Sequence, residues 1–168
     1  MRTRGKQPDV PAPDNAWSEI VPGLWMGGHE FRSHAGQLEF AVVREEFDLV
    51  QTLLRLPGHG PGPGVEHQVW PIPDGPLDGT QLAGVMRLAQ AASDALDAGR
   101  TVLVRCFHGY NRSGLVVAHA LARRGHSAEE AIRLIRSRRS PWALHNDLFV
   151  EYLRAGLSTA RLLEELAE

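Results

Sequence analysis

Cysteine is almost missing from this sequence: Cys106 is the only one in 168 residues. A lone thiol excludes an intramolecular disulfide and any multi-cysteine metal site, so the expected location is a reducing compartment, the cytoplasm. Lysine is equally scarce. Lys6 stands alone among 18 basic residues, the rest being arginine, and 20 acidic residues leave a net charge of −2. A nucleic-acid binder normally shows a basic excess, so this balance argues against such a partner. No uncharged apolar run approaches the ~18 residues that suggest a membrane span. Arg2, Arg4 and Lys6 are followed by a proline-rich stretch rather than an apolar core, so neither a secretory leader nor membrane insertion is expected. Apolar residues at 43% and charged residues at 23% suit one soluble globular domain.

What is present has a readable order. Residues 1–15 contain three prolines and few large apolar side chains, which predicts a mobile N-terminal tail before a single domain over 16–168. Trp17–Met26 reads as a strand or hairpin turning at Pro22-Gly23. Asp48–Leu54 reads as a strand, and Val65–Trp70 alternates with the strand period. Arg55–Gly64 and Pro71–Gly79 are punctuated by Gly and Pro and read as loops. From Thr80 the period becomes helical through Leu82, Val85, Met86, Ala89 and Leu96, with Gly99 as the stop. Thr101–Cys106 is β-branched and nearly continuous, as a buried central strand should be. Gly114–Arg124 reads as a buried helix ended by Gly125. Ser127 and Glu130 form a capping box for the next helix, and Asn146–Leu153 and Leu157–Ala167 complete a helical C-terminal half. The fold class expected is α/β: one domain with a central mixed or parallel sheet flanked by helices.

Ligands of such sheets bind beyond the C-terminal strand ends, which directs attention to the loop after Thr101–Cys106. It reads Cys106-Phe107-His108-Gly109-Tyr110-Asn111-Arg112-Ser113. A loop entering a helix gathers backbone N–H groups without partners, and these cradle phosphate or sulfate. Gly109 permits a tight turn around the anion, and Arg112 offers two parallel donors to two phosphate oxygens. A thiol at a helix N-terminus beside a cation is held as the thiolate, which makes Cys106 the candidate nucleophile, with Ser113 as its hydrogen-bond donor. Nucleophile, anion cradle and phosphate fork together point to phosphoryl transfer. Phe107, His108, Tyr110 and Asn111 line or support the pocket.

The motif Cys106-x5-Arg112-Ser113 resembles the signature loop of the cysteine-dependent protein tyrosine phosphatases, and the short chain resembles their dual-specificity branch. Pro22–Gly27 resembles that branch's opening strand, Trp70–Gly75 its general-acid loop and Trp142–Leu153 its closing helix. The resemblance implies that Asp74 is the general acid, that no metal or other cofactor is needed, and that the substrate is a phosphorylated protein or a small phosphomonoester. Asp78, just before the helix opened by Thr80, is the rival acid and suits a capping role better. The family usually has His immediately before the nucleophile, where this sequence has Arg105. Strand alternation turns Arg105 away from the face of Val104 and Cys106, toward a salt bridge. The rival functions are a phosphate-binding module without turnover, an RNA 5′-triphosphatase-like member of the same superfamily, a phosphoinositide phosphatase, whose loop typically carries the Lys this one lacks, and a rhodanese-type sulfurtransferase.

Of the other polar residues, His29, His34, His59 and His67 lack helical metal-pair spacing and are expected to face solvent. Arg123, Arg124, Arg133, Arg136, Arg138 and Arg139 read as helix-surface charge. Trp70 reads as core packing at a strand end. Oligomeric state leaves no trace in the sequence.

Overall fold

The structure is a computed structural model describing residues 9–168. Trp17–Val21 (β1) and Leu24–Gly27 (β2) form the expected hairpin, with Gly23 at φ 84° in its turn. Leu49–Thr52 (β5), Glu66–Val69 (β6) and Val102–Arg105 (β7) complete a five-stranded sheet of order β1-β2-β7-β5-β6, parallel except for the β1–β2 pair. All four residues of β7 are buried, as a strand at the centre of the sheet requires. A second, two-stranded sheet, Glu30–Arg32 (β3) with Leu38–Phe40 (β4), has no counterpart in the sequence reading. Its strands have three residues each, too few for an alternation to stand out from the surrounding loop.

Five helices follow β6 or β7: Gly79–Asp97 (α1), Arg112–Arg123 (α2), Ala128–Arg138 (α3), Asp147–Ala155 (α4) and Leu157–Ala167 (α5). Asp78 and Gln81 form a capping box at α1, and Ser127 and Glu130 form the expected one at α3. Leu24, Met26, Leu49, Val102 and Val104 turn one sheet face into the main core, with Leu82, Val85, Leu115 and Val117 from α1 and α2. On the other face, Val50 and Leu103 pack with Val43 and Phe47, and Phe47 meets Trp17 and Trp25 edge-on. The period of two along β7 therefore sends Val104 toward the helices and Leu103 away from them.

Two expectations need correction. The tail expected over 1–15 is docked from Asp9 onward, and residues 1–8 lie outside the described residues. Val10 packs against the core, and the carbonyls of Pro11, Pro13 and Asn15 each accept a hydrogen bond from the domain. Low hydrophobicity did not prevent ordering, because backbone acceptors rather than side chains hold the segment. Among the four histidines, only His34 is exposed. His29 is fully buried and His59 and His67 are half-buried. His29 Nε2 donates to the Leu54 carbonyl at 2.5 Å, and burial pushes its pKa down to about 4, so the ring is neutral.

Candidate active site

The loop Cys106–Asn111 leaves the C-terminal end of β7 and enters α2. Gly109 sits at φ 73°, and a Cβ there would stand 2.5 Å from the carbonyl of Gly27, so the loop closes only over glycine. The amide of His29 donates to the Phe107 carbonyl at 2.7 Å, tying the loop to the end of β2. α1, α3 and α4 each receive a side-chain cap, but α2 receives none. Its N-cap residue, Asn111, has its side chain engaged elsewhere, so the first N–H groups of α2 stay open toward the loop.

Cys106 lies at 3% exposure with its Sγ 3.4 Å from Ser113 Oγ. A cleft of about 380 Å³ has walls that include Cys106, Asp74, Arg112, Phe107, His108 and Asn111. Arg112 Nη1 donates to the Ile72 carbonyl at 3.3 Å, and its Nε is buried without a partner among the described residues. That donor faces the same local need a phosphate oxygen would meet. Gly109 and Ser113 shape the loop from below rather than line the cleft. Tyr110 supports it: the ring is buried and Oη donates to the Pro11 carbonyl at 2.8 Å. His108 Nε2 lies 3.5 Å from Glu30 on β3. Burial pushes the His108 pKa down while Glu30 pulls it up, the former prevailing.

Asp74 is exposed, yet both its oxygens are held. Oδ2 accepts from Asn111 Nδ2 at 3.0 Å and Oδ1 from Asn146 Nδ2 at 2.7 Å. Asn146 also caps α4 through Oδ1, and its amide donates to Asn111 Oδ1. Asp78 is committed to the α1 cap, accepting from the Gln81 amide at 2.7 Å, so of these two aspartates it is Asp74 that lines the cleft, where Asp9 also stands. Behind Asp74, Trp70 lies flat over Gly84 of α1, where any side chain would collide with the indole, and its Nε1 donates to the Gln81 carbonyl. The packing role expected for Trp70 thus anchors the loop that carries Asp74.

Two arginines of the surface group are turned inward, a third correction. Arg139 is 7% exposed and donates to the carbonyls of Gly109 (3.2 Å), His108 (2.9 Å) and Asn15 (2.9 Å) and to Ser18 Oγ (3.2 Å). Burial pushes its pKa down to about 10, leaving it charged at neutral pH. Arg136 donates to the carbonyls of Ala143 and Leu144. Leu144 adopts φ 56°, a left-handed conformation strained by roughly 1–2 kcal/mol for such a side chain. Its amide donates to the Tyr110 carbonyl, and its side chain fills the space left by Gly114. The α3–α4 connection therefore supports the phosphate loop from beneath. Sequence reasoning missed Arg139, His145 and Asn146 as site residues. The only local signal was Asn146 as a helix cap.

Arg105 points to the face opposite Cys106, as alternation predicts, but among the described residues no acidic partner meets it there. It donates to Thr52 Oγ1 and to the carbonyls of His59 and Gly60, all neutral acceptors. Burial pushes its pKa down to about 10. Among the described residues no group of three or more His, Cys, Asp or Glu is placed to hold a metal ion, and no helix is long and apolar enough to cross a membrane. A larger recess of about 900 Å³ lies between residues 42–46 and 55–63 and shares no wall with the cleft.

The thiol of Cys106 thus lies on a loop between a central parallel strand and the open N-terminus of a helix. Residues 81–156 match the family described as dual specificity phosphatase, catalytic domain. Human DUSP28 is similar in structure, with 26% identity and a TM-score of 0.67 over 94% of this chain and 99% of that one. A mouse putative dual specificity phosphatase, solved with zinc tungstate, shares 22% identity and a TM-score of 0.61 over 95% of this chain and 98% of its own. Kinase associated phosphatase, with serine substituted for its catalytic site cysteine, shares 16% identity and a TM-score of 0.60, covering 88% of this chain and 94% of that one. No curated protein matches in sequence. The family match over residues 81–156 and the likeness to human DUSP28 support a dual-specificity phosphatase-like chain of the cysteine-dependent protein tyrosine phosphatase superfamily.

Proposed function

We propose that the protein hydrolyses phosphate monoesters, phosphotyrosine with or without phosphoserine and phosphothreonine on proteins, through a cysteinyl-phosphate intermediate. The observation that carries this reading is the shared cleft of Cys106, Arg112 and Asp74. The Cys106 thiolate attacks phosphorus, forming an S–P bond as the ester P–O bond breaks. Asp74 gives its proton to the departing oxygen. Arg112 and the N–H groups at the start of α2 hold the equatorial oxygens as charge moves onto them. Asp74 then takes a proton from water, the water oxygen bonds to phosphorus, and the S–P bond breaks to return the thiolate and free phosphate. Ser113 Oγ, 3.4 Å from Sγ, stabilises the sulfur as it departs. A nucleophile that must remain reduced fits a cytoplasmic setting.

The second reading, a phosphate-binding module without turnover, draws on Arg105, whose guanidinium is bound on the far side of the sheet from the thiol. An RNA 5′-triphosphatase role has the net charge of −2 against it. Assay of p-nitrophenyl phosphate without metal and with reductant decides between the first two. Turnover blocked by vanadate and abolished in Cys106→Ser supports the phosphatase reading. Phosphopeptide binding by folded protein without turnover supports the second.

A further inference from the structure

The first described residues of the chain reach the catalytic cleft. Asp9 and Val10 stand on its wall with Phe107, Cys106 and Arg112. Three anchors hold the segment behind them. Tyr110 Oη donates to the Pro11 carbonyl at 2.8 Å, the Arg32 amide to Pro13 at 2.7 Å and Arg139 Nη1 to Asn15 at 2.9 Å. Tyr110 belongs to the phosphate loop and Arg139 braces it, so the segment shares the scaffold that positions the thiol. Val10 and Phe107 are both half-buried, and they put apolar surface on a wall whose other residues are Asp, His, Asn and Arg side chains with Cys106 and the buried Tyr110.

Resting on the phosphatase reading above, we propose that residues 9–15 form a substrate-selecting strap, on which Val10, together with Phe107, takes the organic group of the phosphomonoester and favours an aryl ester over a short alkyl one. The reason is area. An aromatic ring carries far more apolar surface to these two side chains than the few carbons of a serine or threonine ester, and its face packs against other apolar groups. The polar anchors fix the strap beside the cleft, so contact with the ring costs little ordering.

The test measures binding in the Cys106→Ser background, with two peptides of one sequence that carry phosphotyrosine or phosphothreonine. Deletion of residues 1–10 removes the wall and keeps the anchors at Pro11, Pro13 and Asn15; Val10→Gly removes only the side chain. Both changes are expected to shrink the preference for the phosphotyrosyl peptide by roughly tenfold, with the phosphothreonyl affinity little altered. An unchanged preference in both variants overturns the proposal. So does an equal gain for both peptides on deletion, which would make the segment a plug. Because the readout is affinity, absence of turnover by the intact chain would overturn the phosphatase reading and leave this one standing.

Discussion

Asn111 Nδ2 donates to Asp74 Oδ2 at 3.0 Å, which joins the residue preceding Arg112 to the acid-bearing loop. Asn146 Nδ2 holds the other oxygen at 2.7 Å, so one carboxylate bridges three segments distant in sequence. Asp74 is exposed on a loop, and these two amides give it a single orientation. The loop after β7, the loop carrying Asp74 and the start of α4 are thereby one unit.

If that latch orients a proton donor, Asn146→Ala should lower kcat by roughly tenfold for substrates with poor leaving groups, leaving vanadate affinity unchanged. Asp74→Asn should cost more, on the order of a hundredfold or greater. Asp78→Ala should instead cost about 1 kcal/mol of stability through the lost helix cap, with kcat kept. Steady-state kinetics beside thermal melts separate these outcomes. Loss of kcat in Asp78→Ala with Asp74→Asn unimpaired would exchange the two assignments.

Arg139 offers one buried guanidinium to four acceptors, two of them carbonyls of the phosphate loop. Arg139→Met should destabilise the fold by about 3 kcal/mol, because those acceptors lose a charged donor in a site without water access. Arg139→Lys cannot reproduce the planar fork and should recover only part of the loss. Vanadate binding should weaken in both, since the loop carbonyls lose the brace that turns them away from the anion. Urea denaturation and vanadate titration check the two effects separately.

Arg105 supports a different segment. Its donors reach the carbonyls of His59 and Gly60, so a shorter imidazole in Arg105→His leaves both unpaired. The expected cost is about 2–3 kcal/mol in chemical denaturation. KM for p-nitrophenyl phosphate should stay within roughly threefold, because the residue lies outside the cleft and a wall contact is what sets uniform binding. A large change in KM with unaltered stability would show Arg105 acting on the thiol.

His29 gives the fold an acid-sensitive point. Its pKa falls from 6.5 to about 4 because burial disfavours the charged ring. The unfolded chain therefore binds the proton more readily, and stability is full above pH 6.5 and declines as pH falls toward 4. The urea midpoint should drop across this window in the native protein. In His29→Gln, whose amide can still donate to the Leu54 carbonyl, the decline should flatten.

The amino-acid sequence by itself determined the features that are local along the chain. The cradle from Cys106 to Ser113 was legible because nucleophile, glycine, arginine and serine are contiguous there, between a β-branched strand and an apolar helix. The Pro22-Gly23 turn and the Ser127–Glu130 capping box were legible for the same reason, each being satisfied within a few residues. The inward turn of Cys106 and the outward turn of Arg105 followed from the strand period alone. Tertiary structure decided what depends on residues far apart in sequence. Arg139 looked like surface charge until the unpaired carbonyls of His108 and Gly109 stood within its reach. His29 looked solvated until β2 carried it under the loop after β5, where the Leu54 carbonyl meets it. Asn146 and the segment from Asp9 reach the cleft only because backbone acceptors and amide donors in the folded chain must find partners, a demand no periodicity records.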